Sequence, residues 1–255
     1  MIPKIIHYCW LSNDPIPEKL QEYMTSWKKY LPDYEFMKWD FNRFPKESCP
    51  WVSEAFDAKK YAFAADYIRI YALYKYGGIY LDMDVEVLKK FDDLLKYPYF
   101  LCSEHTEGGP EVAAFGSTGG AEWLRDWLDY YNGKHFVNEN GSLNTKPLPK
   151  IAIEQLTQNG YHFVTIKRPE DIAENKNSKD ICLLPSDYFS PKSYADGKIY
   201  LSNNTYCIHH FTASWKPIEQ RLELKFWNLL GLRPHRIMWH VDNLLDKIKN
   251  KFRKK

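Results

Sequence analysis

Between Lys59 and Leu88 the spacing of hydrophobic and polar positions changes period, and the predicted elements follow from that change. Phe63, Tyr67, Ile70 and Tyr74 fall at i, i+4, i+7 and i+11, which predicts a long helix with one aromatic and aliphatic face on a core. Ala62, Asp66, Arg69 and Leu73 lie on a neighbouring stripe, so Asp66 and Arg69 project from one side and can reach a common ligand. Gly77 and Gly78 end the helix, as glycine after the last turn does by taking a left-handed conformation. The period then becomes two. Ile79, Leu81, Met83, Val85 and Val87 alternate with Tyr80, Asp82, Asp84 and Glu86, which predicts one strand with a buried face. Asp82 and Asp84 then share the other face, roughly 7 Å apart.

The same reading gives a first strand over Lys4 to Trp10, a helix over Glu18 to Leu31 and a strand over Tyr34 to Trp39. These passes build a mostly parallel sheet. Trp51 to Lys60 leads into the long helix. Beyond the acidic strand come a helical turn at Phe91 to Leu95 and strands at Tyr99 to Cys102 and Val112 to Phe115. Ala121 to Tyr131 and Ile151 to Asn159 read as helices, flanking a loop over Asn132 to Pro149 long enough for a lid or acceptor-shaping insertion. Short strands are expected at Val164 to Lys167, Ile181 to Leu184 and Ile199 to Leu201, and helices at Ile218 to Leu230 and Pro234 to Phe252. The predicted fold class is α/β: a Rossmann-like mixed sheet flanked by helices, with C-terminal helices. One domain covers residues 1–232, and a basic amphipathic helix covers 233–255.

Composition changes this picture in four places. With 255 residues and 44% hydrophobic content, one α/β domain is the simplest division. Five cysteines at 9, 49, 102, 182 and 207 show no C-x-x-C or zinc spacing, which points to a reducing compartment rather than a disulfide framework. Neither a secretory leader nor a run of 18 apolar residues is found, so a cytoplasmic location is expected. Residues 233–255 carry eight Lys or Arg against two Asp, while the rest of the chain is net acidic. That tail either packs on the domain or lies on an anionic membrane at the inner face of the cell membrane. No nucleic-acid partner is expected.

Two acidic side chains at Asp82 and Asp84 make an oxygen-rich site suited to a hard divalent cation that also meets phosphate oxygens. A bare D-x-D arises about once by chance in a chain of this length, and a solvated edge strand would explain it equally. The context carries more weight: a helix with Asp66 and Arg69, a glycine pair, an apolar strand, and carboxylates near the strand end, where open α/β sheets bind ligands. A second block, YCIHHFTASWKP, offers His209 and His210 as nitrogen ligands and Lys216 as a point charge for phosphate. On a strand the two histidines face opposite sides, so one of them ligates. In the polar segment from Ser103 to Gly120, Glu104, His105 and Glu107 serve either as acceptor contacts or as exposed loop charge.

The string A-x-x-x-D-x-x-R-x-x-x-L-x-x-x-G-G-x-Y-x-D-x-D, carried here by Ala62, Asp66, Arg69, Leu73, Gly77, Gly78, Tyr80, Asp82 and Asp84, resembles the sugar-nucleotide site of glycosyltransferase family 32. That family holds yeast-type initiating mannosyltransferases and bacterial capsule transferases, and it is related to the catalytic domains of clostridial glucosylating toxins. Ile2, Pro3, Lys4, Ile5, Ile6, His7 and Trp10 match its N-terminal block. The resemblance implies a GT-A-type domain that moves a hexose from a nucleoside-diphosphate sugar, UDP-sugar favoured, to an acceptor hydroxyl on a glycan or lipid-linked oligosaccharide. Anomeric configuration would be retained, and the setting would be polysaccharide or capsule biosynthesis. It further implies Mn²⁺ or Mg²⁺ on Asp84 and His210, Asp82 at the ribose and metal, Asp66 on the donor sugar, and Arg69 and Lys216 on developing phosphate charge. Trp10 would stack on the base, while Ser214 and Trp215 would complete the diphosphate site. His210 is preferred because its spacing to Lys216 and Pro217 matches H-x5-K-P of related retaining transferases, and His209 stays open. His7 reads as a satisfied core histidine. The alternatives are a haloacid dehalogenase-type phosphatase with Asp82 as nucleophile, and a non-catalytic sugar-binding module.

Overall fold

The structure, a computed structural model, describes residues 1–104, 109–193 and 197–212. The boundary expected at 232, both C-terminal helices, His105, Glu107, Ser214, Trp215 and Lys216 lie outside the described residues.

A five-stranded mixed sheet runs in the order β2-β1-β3-β6-β5. Its strands are β1 (Ile5–Cys9), β2 (Glu35–Trp39), β3 (Gly78–Leu81), β5 (Tyr99–Phe100) and β6 (Ala114–Ser117). β2, β1 and β3 are parallel, with Ile6 opposite both Phe36 and Ile79. β6 is antiparallel to β3 and to β5. Alternate residues of each strand feed two separate cores. Tyr80, Phe115, Met37 and Trp39 face a cluster built with α2 (Pro50–Asp57), α3 (Tyr61–Tyr76), α4 (Glu122–Leu128) and α5 (Leu148–Gln158). Ile6, Ile79, Leu81 and Phe100 face the other cluster, where Leu20, Tyr23 and Trp27 of α1 (Glu18–Tyr30) pack. The α/β class and the sheet flanked by helices are those the sequence predicts.

Helices cover both faces, so β3 is buried throughout, as parallel strands in α/β proteins are. α3 is buried far more widely than one stripe requires: Ala64, Ala65, Ile68, Ala72 and Leu73 are covered as well as Phe63 and Ile70. Its small alanines allow α2 and α4 to approach on faces that the periodicity leaves unassigned. The helix ends at Gly77, whose φ of 65° is positive but whose ψ of −175° is extended, so the chain passes straight into β3. A Cβ on Gly78, at φ 112°, would sit 2.7 Å from the carbonyl oxygen of Ile5. Only glycine fits so close to β1.

Where the sequence predicts a strand continuing to Val87, the chain bends. Asp82 donates its backbone N–H to Ala113 O, and Val85 N–H closes a turn onto Asp82 O at 3.0 Å. β4 (Val85–Val87) then leaves the main sheet to pair antiparallel with β9 (Cys207–His209), Val85 opposite His209. α1 fixes this segment: the Trp27 indole donates to Val85 O at 2.7 Å, and Ser26 Oγ accepts from Val87 N–H at 2.9 Å. Period-two burial survives the bend because Met83, Val85 and Val87 all still reach the core on the α1 side. The remaining parallel pair, β7 (His162–Thr165) with β8 (Asp180–Leu183), flanks α6 (Glu170–Glu174). Ile199 makes a single bridge to Lys192 rather than a strand.

His7 is fully buried and satisfied at both ring nitrogens. The Trp39 indole donates to Nδ1 at 3.1 Å, which leaves Nε2–H to donate to Gly77 O at 2.7 Å. This is a neutral tautomer, and burial lowers the ring's pKa from 6.5 to about 4. Between those values the unfolded chain binds a proton that the folded chain refuses. Stability from His7 is therefore complete above pH 6.5 and falls away towards pH 4, by roughly 3 kcal/mol. Glutamine can mimic both bonds without titrating. Urea unfolding from pH 7 to pH 4 should show a decline in wild type that is reduced by about that amount in His7→Gln, and parallel curves would refute it.

Candidate metal and donor site

The bend after β3 presents Asp82 and Asp84 at the carboxyl end of the strand, and β9 brings His209 to them. One ligand atom from each of these three residues lies within 4.8 Å of the others. Two carboxylates and an imidazole form a hard oxygen and nitrogen donor set, which fits Mn²⁺ or Mg²⁺ better than a soft metal. Each ligand is held from behind. Asp82 Oδ1 accepts from the Tyr80 hydroxyl at 3.0 Å and Oδ2 from Arg69 at 3.2 Å. Asp84 Oδ2 accepts from the backbone N–H and the hydroxyl of Thr212, at 2.7 and 2.9 Å. Asp84 Oδ1 is 3.5 Å from His209 Nε2.

Geometry reverses the preference between the adjacent histidines. They do face opposite sides, but it is His209 that turns to the carboxylates. His210 Nε2 lies 2.8 Å from Glu86, and its ring stacks on Tyr23 of α1 with centroids 4.4 Å apart. The physical reason is register: pairing Val85 with His209 sets which side of β9 meets Asp84. Spacing to Lys216 and Pro217 contains no such information.

Glu111 is nearly buried and lies against the far side of His209, Oε2 to Nδ1 at 3.3 Å. Burial alone would lower the His209 pKa, but the Glu111 and Asp84 carboxylates outweigh it and lift the ring to about 9. Burial also raises Asp82, with Asp84 adding to the rise against the pull of Arg69.

On α3, Asp66 and Arg69 project from one side, as the i, i+3 spacing predicts, and pair with each other, Oδ1 to Nη2 at 3.0 Å. Both are buried, at 8% and 4% exposure, so Arg69 is bound into the protein rather than extended into a cleft. Its Nη1 donates to Val112 O at 2.9 Å as well as to Asp82, and the guanidinium lies 4.7 Å over the Tyr80 ring. Burial pushes the Asp66 carboxyl up to about 7 against the pull of Arg69. Trp10 caps β1 at one wall of a cleft of about 420 Å³, shared with Asp14, Lys38, Asp40 and Phe41. Its indole donates to Asp14 O at 2.8 Å, leaving the ring partly exposed. This cleft opens at the carboxyl ends of β1 and β2, the same edge of the sheet as Asp82.

Three residues here escape sequence reasoning. Thr212 stands within the HHFTASWKP block, and a hydroxyl two residues past the histidines is a signal that could have been used. Lys192, half-buried, donates to His210 O at 2.7 Å, and its charge feels Asp84. Glu111 is one of three acids in the glycine-rich segment from Ser103 to Gly120, with no periodic context to single it out. Burial keeps the Lys192 ammonium below the ordinary lysine range.

Removing the Arg69 cation would leave the buried Asp66 carboxylate, and the partly buried Asp82 carboxylate, without their counter-charge. Arg69→Met should therefore cost about 3–5 kcal/mol in urea unfolding, partly restored by Asp66→Asn in the same chain. A loss below about 1 kcal/mol would show that Arg69 does not hold this corner together.

Residues 17–101 match the family described as glycosyltransferase sugar-binding region containing DXD motif. Inositol phosphoceramide mannosyltransferase 3 of Schizosaccharomyces pombe is 43% identical over 101 residues, covering 38% of this chain and 28% of that protein. The mannosyl phosphorylinositol ceramide synthase SUR1 of Saccharomyces cerevisiae is 39% identical over 105 residues, 40% of this chain and 27% of its own. The matched stretch is thus a minor part of those relatives' lengths. An uncharacterized glycosyltransferase, L373 of Acanthamoeba polyphaga mimivirus, is 27% identical over 238 residues and is covered to 89% on both sides. Among solved structures, the PaToxG glycosyltransferase aligns over 62% of this chain and 69% of its own with a TM-score of 0.45 at 20% identity.

Proposed function

We propose that this chain, whose residues 17–101 match the family described as glycosyltransferase sugar-binding region containing DXD motif, is a metal-dependent hexosyltransferase using a nucleoside-diphosphate sugar. The observation that carries the reading is the convergence of Asp82, Asp84 and His209 at the carboxyl end of β3, on the edge of the sheet that also bears the Trp10 cleft. A divalent ion bound there supplies positive charge for the diphosphate that leaves as the anomeric C–O bond breaks.

The protein's own groups do the rest by position. Thr212 and Arg69 fix the directions of the Asp84 and Asp82 carboxylates, so that little reorganisation is needed when the donor binds. Trp10 offers a face for the base, with Asp82 near the ribose. Asp66, its carboxylate steered by Arg69, receives hydroxyls of the donor sugar. Lys192 stands beside Asp84 as a cation for the diphosphate, and Ser214, Trp215 and Lys216 are assigned to the same group by their place after β9. Retention of the anomeric configuration, with the departing phosphate taking the acceptor's proton, belongs to the same proposal.

The acceptor is a hydroxyl of a glycan or glycolipid. The names of the S. pombe and S. cerevisiae relatives favour a lipid-linked inositol phosphate headgroup, and a basic tail would hold such a substrate near an anionic surface. Among the described residues no helix is long and apolar enough to cross a membrane. Both the UDP-hexose expected from the sequence and a mannosyl donor suggested by those names enter the test. The full chain with Mn²⁺ is offered UDP-hexoses and GDP-mannose, and release of the nucleoside diphosphate is measured. One donor should turn over, and Asp84→Ala or a chelator should lower that rate on the order of a hundredfold or more. Turnover that survives both, or no turnover with any donor and acceptor supplied, would sink the proposal.

A further inference from the structure

We infer that Glu111 is a positioning residue whose buried carboxylate fixes the His209 ring so that its Nε2 faces the Asp82–Asp84 bend. The inference rests on the metal reading above and assigns a function to a side chain that the transfer reaction itself does not touch. Glu111 is 4% exposed and is held at three points. Its backbone N–H donates to Cys102 O at 2.8 Å, its Oε1 accepts from Ala113 N–H at 2.8 Å, and its Oε2 faces His209 Nδ1 at 3.3 Å. A carboxylate locked in this way offers Nδ1 an acceptor and nothing else. Nδ1 therefore keeps its hydrogen, and the proton that the ring gives up to a cation leaves Nε2, the nitrogen 3.5 Å from Asp84.

The neighbouring histidine is an internal control. His210 also meets a carboxylate, but Glu86 takes its Nε2 rather than its Nδ1. Glu86 is open to solvent at 37% side-chain exposure, and among the described residues no second carboxylate pairs with the ring's other nitrogen. Two adjacent histidines thus carry carboxylates on opposite nitrogens, and only the arrangement at His209 leaves Nε2 aimed at Asp84. Carboxylate partners of this kind orient metal-binding imidazoles and raise their basicity, and their loss typically weakens metal affinity 10- to 100-fold.

Glu111→Gln separates this from a merely structural role, because a glutamine has one acceptor oxygen for two donors, Ala113 N–H and His209 Nδ1–H. Mn²⁺ binding to the full chain, without donor sugar, is followed by the loss of free-ion signal in electron paramagnetic resonance. Glu111→Gln should bind about 10- to 100-fold more weakly than wild type, and the same substitution placed on His209→Ala should change affinity little further. Equal Mn²⁺ affinity in wild type and Glu111→Gln, both folded by circular dichroism, overturns the inference while leaving the metal reading intact. If wild type binds no Mn²⁺, the metal reading falls and takes the inference with it. Should Glu111→Gln not fold, wild type decides: ¹⁵N spectra of the Mg²⁺-loaded protein must show His209 protonated at Nδ1, and protonation at Nε2 overturns the assignment.

Discussion

The Arg69 guanidinium joins three parts of the chain that the backbone does not hold together. One arm meets Asp66 a turn earlier on α3, and the other meets both Asp82 past the end of β3 and the carbonyl of Val112 ahead of β6. Because the group is buried, each of these bonds acts in a medium that screens charge poorly, and their directions are fixed by a planar fork that lysine lacks. Its Nε has no partner within the described residues. Such a corner is costly to assemble from water and hard to distort once assembled. The bend that aims Asp82 inherits its rigidity.

That rigidity bears on the candidate site, which lies where three parallel strands stop together. β2, β1 and β3 end at one edge, delivering Asp40, Trp10 and Asp82 in turn, while β6 and β5 complete the sheet in the opposite sense. Loops beyond strand ends are the natural place for ligands in open α/β sheets, since both faces are already covered by helices. The small β4–β9 ribbon lies outside this sheet and serves a narrower purpose. It delivers His209, and with it Thr212, to a carboxylate pair that the main sheet alone would leave incomplete.

Much of this was legible in the sequence because local periodicity and tertiary burial agree there. β1, α1, β2 and α3 lie where their patterns place them, and Asp66 and Arg69 share one side of α3 as the helical spacing requires. The bend at Asp82 was not legible. Burial of Met83, Val85 and Val87 preserves a period of two through the turn, and the turn is made by the aspartates themselves rather than by glycine or proline. The choice between His209 and His210 depends on how β9 registers with β4, a pairing across more than a hundred residues that spacing within the motif does not encode. Glu111 is hidden for a related reason: an isolated acid reveals itself only by what the fold stacks against it. The breadth of burial on α3 likewise reflects helices that come to it from elsewhere in the chain.

Pairing β4 with β9 also sets a time order for making this protein. During synthesis the acidic bend emerges long before the histidine that completes it, and the nascent chain holds Asp82, Asp84 and Glu111 together with no imidazole among them. Closing so long a loop is slow compared with forming local helices, so the Asp82, Asp84 and His209 group comes together only late in folding. A chain cut short before residue 209 would lack the imidazole that stands with Asp82 and Asp84.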